Sequence, residues 1–175
     1  MQIEHPFTSV FALASLIIAG CATTPTIGGV RPIDADLTKY KSLQIVVDAP
    51  AHIRGLAGYD IASAELQKEF TANIAASKEY AIVGTDVRPA NALEARLTIM
   101  ELNYVSSAAR ASLGIAAGRA VLDVTMTLKD VETAQVVGST RASHASSHAQ
   151  GVFSPVTSTQ IAAIARMLAV QLTSR

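Results

Sequence analysis

The hydrophobic pattern of residues 42–84 predicts a strand, a helix and a second strand. Leu43–Val47 is a short run rich in β-branched residues that stops at Asp48-Ala49-Pro50, which is typical of a buried strand. In residues 58–80 apolar side chains recur every fourth position, which predicts a helix with one apolar stripe: Ala62, Leu66, Phe70 and Ile74. Residues 80–83 (YAIV), followed by Gly84, predict the next strand. Segments in this order favour a parallel strand pair.

The pattern of residues 93–143 predicts antiparallel strands. Residues 93–105 alternate in hydrophobicity and then change phase, which indicates a bulge near Met100. Residues 119–130 (RAVLDVTMTLKD) place five apolar side chains on one face, namely Ala120, Leu122, Val124, Met126 and Leu128. The other face is mostly polar and is formed by Arg119, Asp123, Thr125, Thr127 and Lys129. DVETAQ is then a turn, and residues 136–143 (VVGSTRAS) form the second strand of a hairpin.

A final helix is predicted after Ser154-Pro155, with one apolar face formed by Ile161, Ile164, Leu168 and Leu172. The predicted element order is therefore β-α-β-β-β-β-α. Parallel and antiparallel pairs together indicate an α+β fold, a two-layer sandwich in which the helices cover one face of a mixed sheet.

The N-terminus carries an apolar run, residues 10–19 (VFALASLIIA), that is too short to span a bilayer but suits the core of a signal peptide. The run leads into Ile18-Ala19-Gly20-Cys21, which resembles the bacterial lipobox. This resemblance implies cleavage between Gly20 and Cys21 and attachment of diacylglycerol and an acyl chain such as palmitate to Cys21. The alternative is a buried helix with a core cysteine.

Residues 22–37 (ATTPTIGGVRPIDADL) show no periodicity and contain two prolines and two glycines, so they are expected to form a flexible tether. The expected organisation is a signal peptide (1–20), the lipidated Cys21 with its tether (21–37) and a periplasmic α+β domain (38–175). The residue after the lipidated cysteine is Ala22 rather than Asp, which implies the periplasmic side of the outer membrane rather than the inner membrane.

Composition limits the classes of function. Lys and Arg number 14 and Asp and Glu also number 14, and aromatic residues make up 5% of the chain, so neither charge nor stacking side chains suggest nucleic-acid binding. A single cysteine excludes an intramolecular disulfide. The sequence lacks G-x-S-x-G, P-loop, H-E-x-x-H and C-x-x-C motifs, so we expect a protein that is not an enzyme and has no cofactor.

His144 and His148 are candidate metal ligands, since they would share one face if SHASSHAQ were helical. No carboxylate or further histidine lies close by in sequence, so a third ligand would have to come from His52 or a distant acid. Two solvated loop histidines are the simpler interpretation, and no metal site is predicted.

Residues 106–120 (SSAARASLGIAAGRA) form a candidate interaction loop. Gly114 and Gly118 stand at G-x-x-x-G spacing, which permits close backbone approach in self-association or at a membrane. Arg110 and Arg119 flank them and could contact an anion or a lipid headgroup. The alternative is a glycine-rich connection between two strands.

The lipobox, KYKSLQIVVD, AGRAVLDVTMTLKDVETAQVVGSTRAS and the terminal helix together resemble a group of bacterial envelope lipoproteins that are classified as a domain of unknown function. That group shares a Gly-rich segment before an alternating strand and a turn like D-x-x-T-G-x-V-x-G. Here Ala134 replaces the turn glycine, so a less tight turn is expected. The resemblance implies no catalytic residues.

The sequence therefore predicts a lipid-anchored, non-catalytic periplasmic protein with a binding or assembly role in the cell envelope. Its partners would be the membrane and either envelope proteins or further copies of itself. One alternative is a carrier or sensor of a small apolar ligand or lipid, which would need a pocket between helices and sheet. Others are a metal-dependent hydrolase built on His144 and His148, and an oligomer that inserts into the membrane.

Overall fold

The computed structural model describes residues 25–104, 112, 120–145 and 156–173, and these form an α+β fold on a mixed six-stranded sheet. The strands are β1 (Thr26–Arg31), β2 (Ser42–Asp48), β3 (Ala81–Val83), β4 (Ala92–Asn103), β5 (Val121–Asp130) and β6 (Val136–Ala145). The helices are α1 (Ala51–Arg54), α2 (Tyr59–Ser77) and α3 (Val156–Thr173), with a 3-10 turn at Leu37–Lys39. The α+β prediction is confirmed.

The sheet runs in the order β1-β6-β5-β4-β2-β3. Strand β2 pairs in parallel with β3 on one side and β4 on the other, as expected for strands joined through a helix. Strands β4, β5, β6 and β1 pair with one another antiparallel in that order along the sheet. The predicted parallel pair and the predicted β5–β6 hairpin are both confirmed.

The core is built from the periodic apolar residues. Ala62, Leu66, Phe70 and Ile74 of α2 are fully buried, as are Ile161, Ile164, Leu168 and Leu172 of α3. Helix α2 packs against α3, β2 and β3, whereas α3 packs against β5 and β6 as well as α2. None of the described helices combines the length and hydrophobicity needed to cross a membrane.

Strand β4 contains the predicted bulge, since its register with β5 shifts between Ile99 and Glu101. Met100, where the sequence predicts the bulge, is 45% exposed. The reason is geometric, because the extra residue of a bulge has no partner opposite it and turns away from the core.

Two sequence expectations need correction, namely the unstructured tether over residues 22–37 and the predicted element order. Residues 22–37 were expected to lack regular structure, but Thr26–Arg31 pair with β6 as β1, and Leu37 is buried. Residues 22–24 lie outside the described residues. The predicted element order thus gains β1 before the first predicted strand and the short helix α1 before the predicted helix. Strand β1 was missed because backbone pairing along a sheet edge requires no apolar face.

Candidate functional site

Strand β1 forms one edge of the sheet, and all six of its residues are exposed. It pairs with β6 over Thr26↔Ser143, Ile27↔Ala142, Gly28↔Arg141, Gly29↔Thr140 and Arg31↔Ser139. The Oγ1 of Thr26 lies 2.9 Å from the Oγ of Ser143, which ties the first residue of the strand to β6. Within the described part of the chain β6 is the one strand that pairs with β1, so the outer side of β1 presents backbone groups that can pair with another strand. We call this side the β1 edge.

The residues after β1 hold that strand in place. Ile33 packs against the core, and its Cα lies 2.9 Å from where a Cβ on Gly138 would stand. The backbone N–H of Asp34 donates to the carbonyl of Val137 at 3.2 Å. Asp36 then accepts hydrogen bonds from the backbone N–H and hydroxyl of Thr38 and so caps the 3-10 turn. We call residues 32–36 the strap.

The strand ends define two ends of the sheet. By register, the first residues of β1 and β5 (Thr26 and Val121) lie at the same end as the last residues of β4 and β6 (Asn103 and Ala145). We call this the Thr26 end. The opposite end, which contains the β5–β6 turn and the first residue of β2, is called the Asp130 end.

The sheet face opposite the core carries a series of ion pairs that share residues. Asp48 lies 3.5 Å from Arg96 and 4.0 Å from Arg54, and Glu94 lies 3.0 Å from Arg96 and 3.7 Å from Lys129. Every one of these carboxylates therefore faces at least two cations. The two carboxylates and the three cations Arg54, Arg96 and Lys129 leave a net charge of +1, and their ion pairs form a polar surface.

Asp123 of β5 is buried, although the alternating pattern placed it on the polar face. Both of its carboxylate oxygens accept hydrogen bonds from the Nε of Arg141, at 2.8 and 2.9 Å, and Arg141 Nη2 bonds one of them as well. These bonds raise the pKa of Arg141, chiefly through the hydrogen bonds and then through the carboxylate charge. The prediction about the face was correct, and the burial arises because the long arginine side chain covers the shorter aspartate.

A cleft of about 380 Å³ opens beside this ion pair at the Thr26 end. It is lined by Thr26, Glu101, Val121, Asp123, Ser143, His144 and Ala145. Arg141 is hydrogen-bonded to Asp123, and among the described residues no arginine is hydrogen-bonded to the other cleft carboxylate, that of Glu101. The cleft offers polar contacts to a surface or a partner rather than a formed catalytic constellation.

At the Asp130 end the carboxylate of Asp130 accepts hydrogen bonds from two parts of the chain. Asp130 accepts the backbone N–H groups of Glu132 and Thr133 and, at 2.9 Å, the hydroxyl of Tyr40. These bonds hold the pKa of Asp130 below its usual range, with the Thr133 N–H the largest cause. Burial, and secondly the bond to Asp130, raises the pKa of Tyr40. In the same turn Ala134 takes a left-handed conformation with φ 59°, which a glycine would adopt without strain.

The histidine hypothesis changes with the structure. His144 lies in strand β6 opposite Leu122, so the argument that a helix would align it with His148 is wrong for this residue. His148 lies outside the described residues, and His52 is exposed on α1. Among the described residues no group of three or more His, Cys, Asp or Glu side chains could hold a metal ion.

The other predicted site residues lie outside the described part of the chain. These are Gly20 and Cys21 of the lipobox and Arg110, Gly114, Gly118 and Arg119 of the candidate loop. Their roles stay predictions. The loop nevertheless has defined ends, since it connects Asn103 to Val121 at the Thr26 end.

A shallow cleft of about 370 Å³ separates α2 from α3 on their outer side. Its lining mixes small and charged residues: Glu69, Asn73, Thr159, Ala162, Ala163 and Arg166. The carrier hypothesis required a pocket between helices and sheet, and this cleft lies between the helices instead. It therefore lends no support to a carrier of apolar ligands.

Comparisons with known proteins found solved structures that are similar to this fold. No family model matches the chain, and no curated protein matches it. It is similar to a dodecamer of a PelC variant from Paraburkholderia phytofirmans, with a TM-score of 0.56, 16% identity and coverage of 87% of this chain and 99% of that chain. A PelC dodecamer from the same organism in another crystal form gives a TM-score of 0.50 and 15% identity over 82% of this chain and 96% of that one. At such identities the likeness establishes a shared fold.

The β1 edge is the feature that sequence reasoning missed. TIGGVR has neither alternation nor a continuous apolar run, and its two glycines indicate a linker. The usable signal would have been that the predicted strands leave β6 as an edge of the sheet, because natural proteins cover such an edge or protect it with charges, prolines or bulges.

Proposed function

We propose that this protein is a lipid-anchored, non-catalytic component of the bacterial cell envelope that acts by binding and assembly. The sequence Ile18-Ala19-Gly20-Cys21 supports an acyl anchor on Cys21, and Ala22 supports the periplasmic side of the outer membrane. The observation that carries the assembly role is the likeness of the fold, over nearly the whole of the neighbour's chain, to PelC solved as a dodecamer.

The finer architecture in this proposal is a two-layer sandwich. Helices α2 and α3 pack on each other, and each contacts strands of the same sheet, which supports their lying together on one face. The charges at Asp48, Glu94, Arg96 and Lys129 then mark the uncovered face. Among the described residues this arrangement leaves one sheet face and the outer sides of β1 and β3 available to partners.

Self-association is proposed to use the β1 edge. The two edges of the sheet differ, since one is the six-residue β1 and the other is the three-residue β3. An edge that meets a different surface of the next copy makes a heterologous contact, and such contacts generate closed rings when the rotation closes. A ring of copies on a membrane surface is therefore the assembly this fold is proposed to build.

Mass spectrometry on protein purified from its native membrane fraction tests both parts. The expected N-terminal peptide begins at Cys21 with diacylglycerol and an acyl chain attached, and native mass spectrometry in detergent is expected to show a closed oligomer. An unmodified Cys21 with Met1 retained would refute the anchor. A protein that stays strictly monomeric in detergent as the protein concentration is raised would refute the assembly role.

A matched pair of variants tests the β1 edge. A Cβ at Gly29 would have no neighbour within 4 Å, so both Gly29→Lys and Gly29→Ala fit the fold. Lysine on an edge strand opposes pairing with another strand, whereas alanine does not. Gly29→Lys is expected to shift the oligomer toward monomer while Gly29→Ala leaves it intact. Equal oligomerisation of the two variants would exclude the β1 edge as the contact.

A further inference from the structure

The start of β1 shortens the connection between the proposed anchor and the folded domain. A flexible tether over residues 22–37 would reach about 50 Å when extended. Because the chain is already paired with β6 at Thr26, five residue steps separate Thr26 from Cys21, and these span at most about 18 Å. The domain is therefore held far closer to an anchor on Cys21 than the sequence suggested.

The attachment point also lies at one defined end of the molecule. Thr26 is the first residue of β1 and is bonded to Ser143 near the end of β6. The same end contains Asn103, Val121 and Ala145. Strand β5 runs from this end to Asp130, a rise of about 30 Å over nine residue steps. The Asp130 end thus stands about 30 Å further from the attachment point.

We propose that the Thr26 end of the sheet faces a phospholipid surface, with the strands rising away from it. This orientation rests on the proposed function in one respect, which is acylation of Cys21. Two exposed apolar side chains, Ile27 and Met100, lie within a few residues of this end and suit contact with the membrane interface. The polar cleft at the same level carries the carboxylate of Glu101 and suits the ammonium group of a phosphatidylethanolamine headgroup.

Single-cysteine labelling of the acylated protein tests the orientation. Asn103→Cys places a fluorophore at the Thr26 end and Glu132→Cys places one in the turn at the Asp130 end, and both positions are exposed. The acylated Cys21 does not react with the label. The protein is reconstituted into phosphatidylethanolamine–phosphatidylglycerol vesicles that carry a lipid with a headgroup nitroxide. We expect the nitroxide to quench the fluorophore at position 103 and to leave the fluorescence at position 132 unchanged.

Equal quenching at the two positions, or stronger quenching at 132, would overturn the orientation while leaving the anchor intact. Failure of the proposed function looks different, because a protein without acyl chains shows an unmodified Cys21 by mass and does not bind the vesicles. A flexible Gly/Ser insertion between Ala22 and Pro25 provides the control for chain length. It is expected to abolish the quenching at 103, and retained quenching would overturn the argument from the short connection.

Discussion

Adding one methyl group at Gly138 tests the contact between the strap and the sheet. A Cβ at this position would stand 2.7 Å from Cγ1 of Ile33 and 2.9 Å from its Cα. The first contact can be relieved by a side-chain rotation, but the second involves the backbone of the strap. Gly138→Ala therefore has to displace residues that hold β1 against β6.

The expected change in the free energy of unfolding of Gly138→Ala combines two opposing effects. Overpacking of a close contact costs about 1–3 kcal/mol. Replacing glycine by alanine in a strand recovers about 0.4–1 kcal/mol by reducing the entropy of the unfolded chain. The free energy of unfolding should thus fall by about 1–2 kcal/mol, which lowers Tm by about 3–6 °C for a chain of this size.

Thermal unfolding and hydrogen exchange provide the assay. The backbone N–H of Asp34 donates to Val137 and should lose protection in Gly138→Ala, because the strap moves away. Gly29→Ala is the matched control, since its Cβ meets no atom within 4 Å and the same entropic effect should leave Tm unchanged or slightly raised. If Gly138→Ala melts at or above the parent temperature with the Asp34 amide still protected, the strap is not packed as described.

Three further substitutions have calculable outcomes. Phe70→Ala removes a fully buried ring and should lower the free energy of unfolding by about 3–5 kcal/mol in denaturant titration, and a loss below 1 kcal/mol would show a loosely packed core. Ala134→Gly relieves the left-handed conformation and should raise Tm by about 1–3 °C, and a lower Tm would mean that the turn is not left-handed at this residue. Asp130→Asn removes a carboxylate whose pKa is lowered in the fold, so its stabilisation is complete above the unfolded pKa of about 3.9 and is lost as the pH falls through the folded pKa. The parent should have a higher Tm than Asp130→Asn at pH 7, and this difference in Tm should disappear below pH 4. A difference in Tm that does not depend on pH would contradict the lowered pKa of Asp130.

The sequence predicted the elements that bury a regular apolar face. Leu66 and Phe70 on α2, and Ile164 and Leu168 on α3, recur at helical spacing and are all fully buried, because one face of each helix must pack against the rest of the fold. The alternation of β5 was equally informative. Such patterns are local, and a local pattern is readable from the chain alone.

The features that define the candidate site were not local. Strand β1 is fully exposed and is held by backbone pairing with β6, more than a hundred residues later, so its own side chains carry no signal. The burial of Asp123 depends on Arg141 in the next strand. The small residues around His144 predict a loop, but pairing with β5 extends β6 to Ala145. Each outcome is decided by a partner distant in sequence.

The position of β1 has a mechanical consequence. If Cys21 is fixed in a membrane and the strands rise away from it as proposed, a force that pulls the domain away from the membrane acts on Thr26 along the axis of β1. The strand then slides against β6, and its hydrogen bonds share the load instead of opening one after another from the end. In that case the domain would be attached through a shear-loaded strand, and the contact between Ile33 of the strap and Gly138 would form the second barrier that the same force has to break. A protein attached in this way can bear tension at its anchor before its core is disturbed.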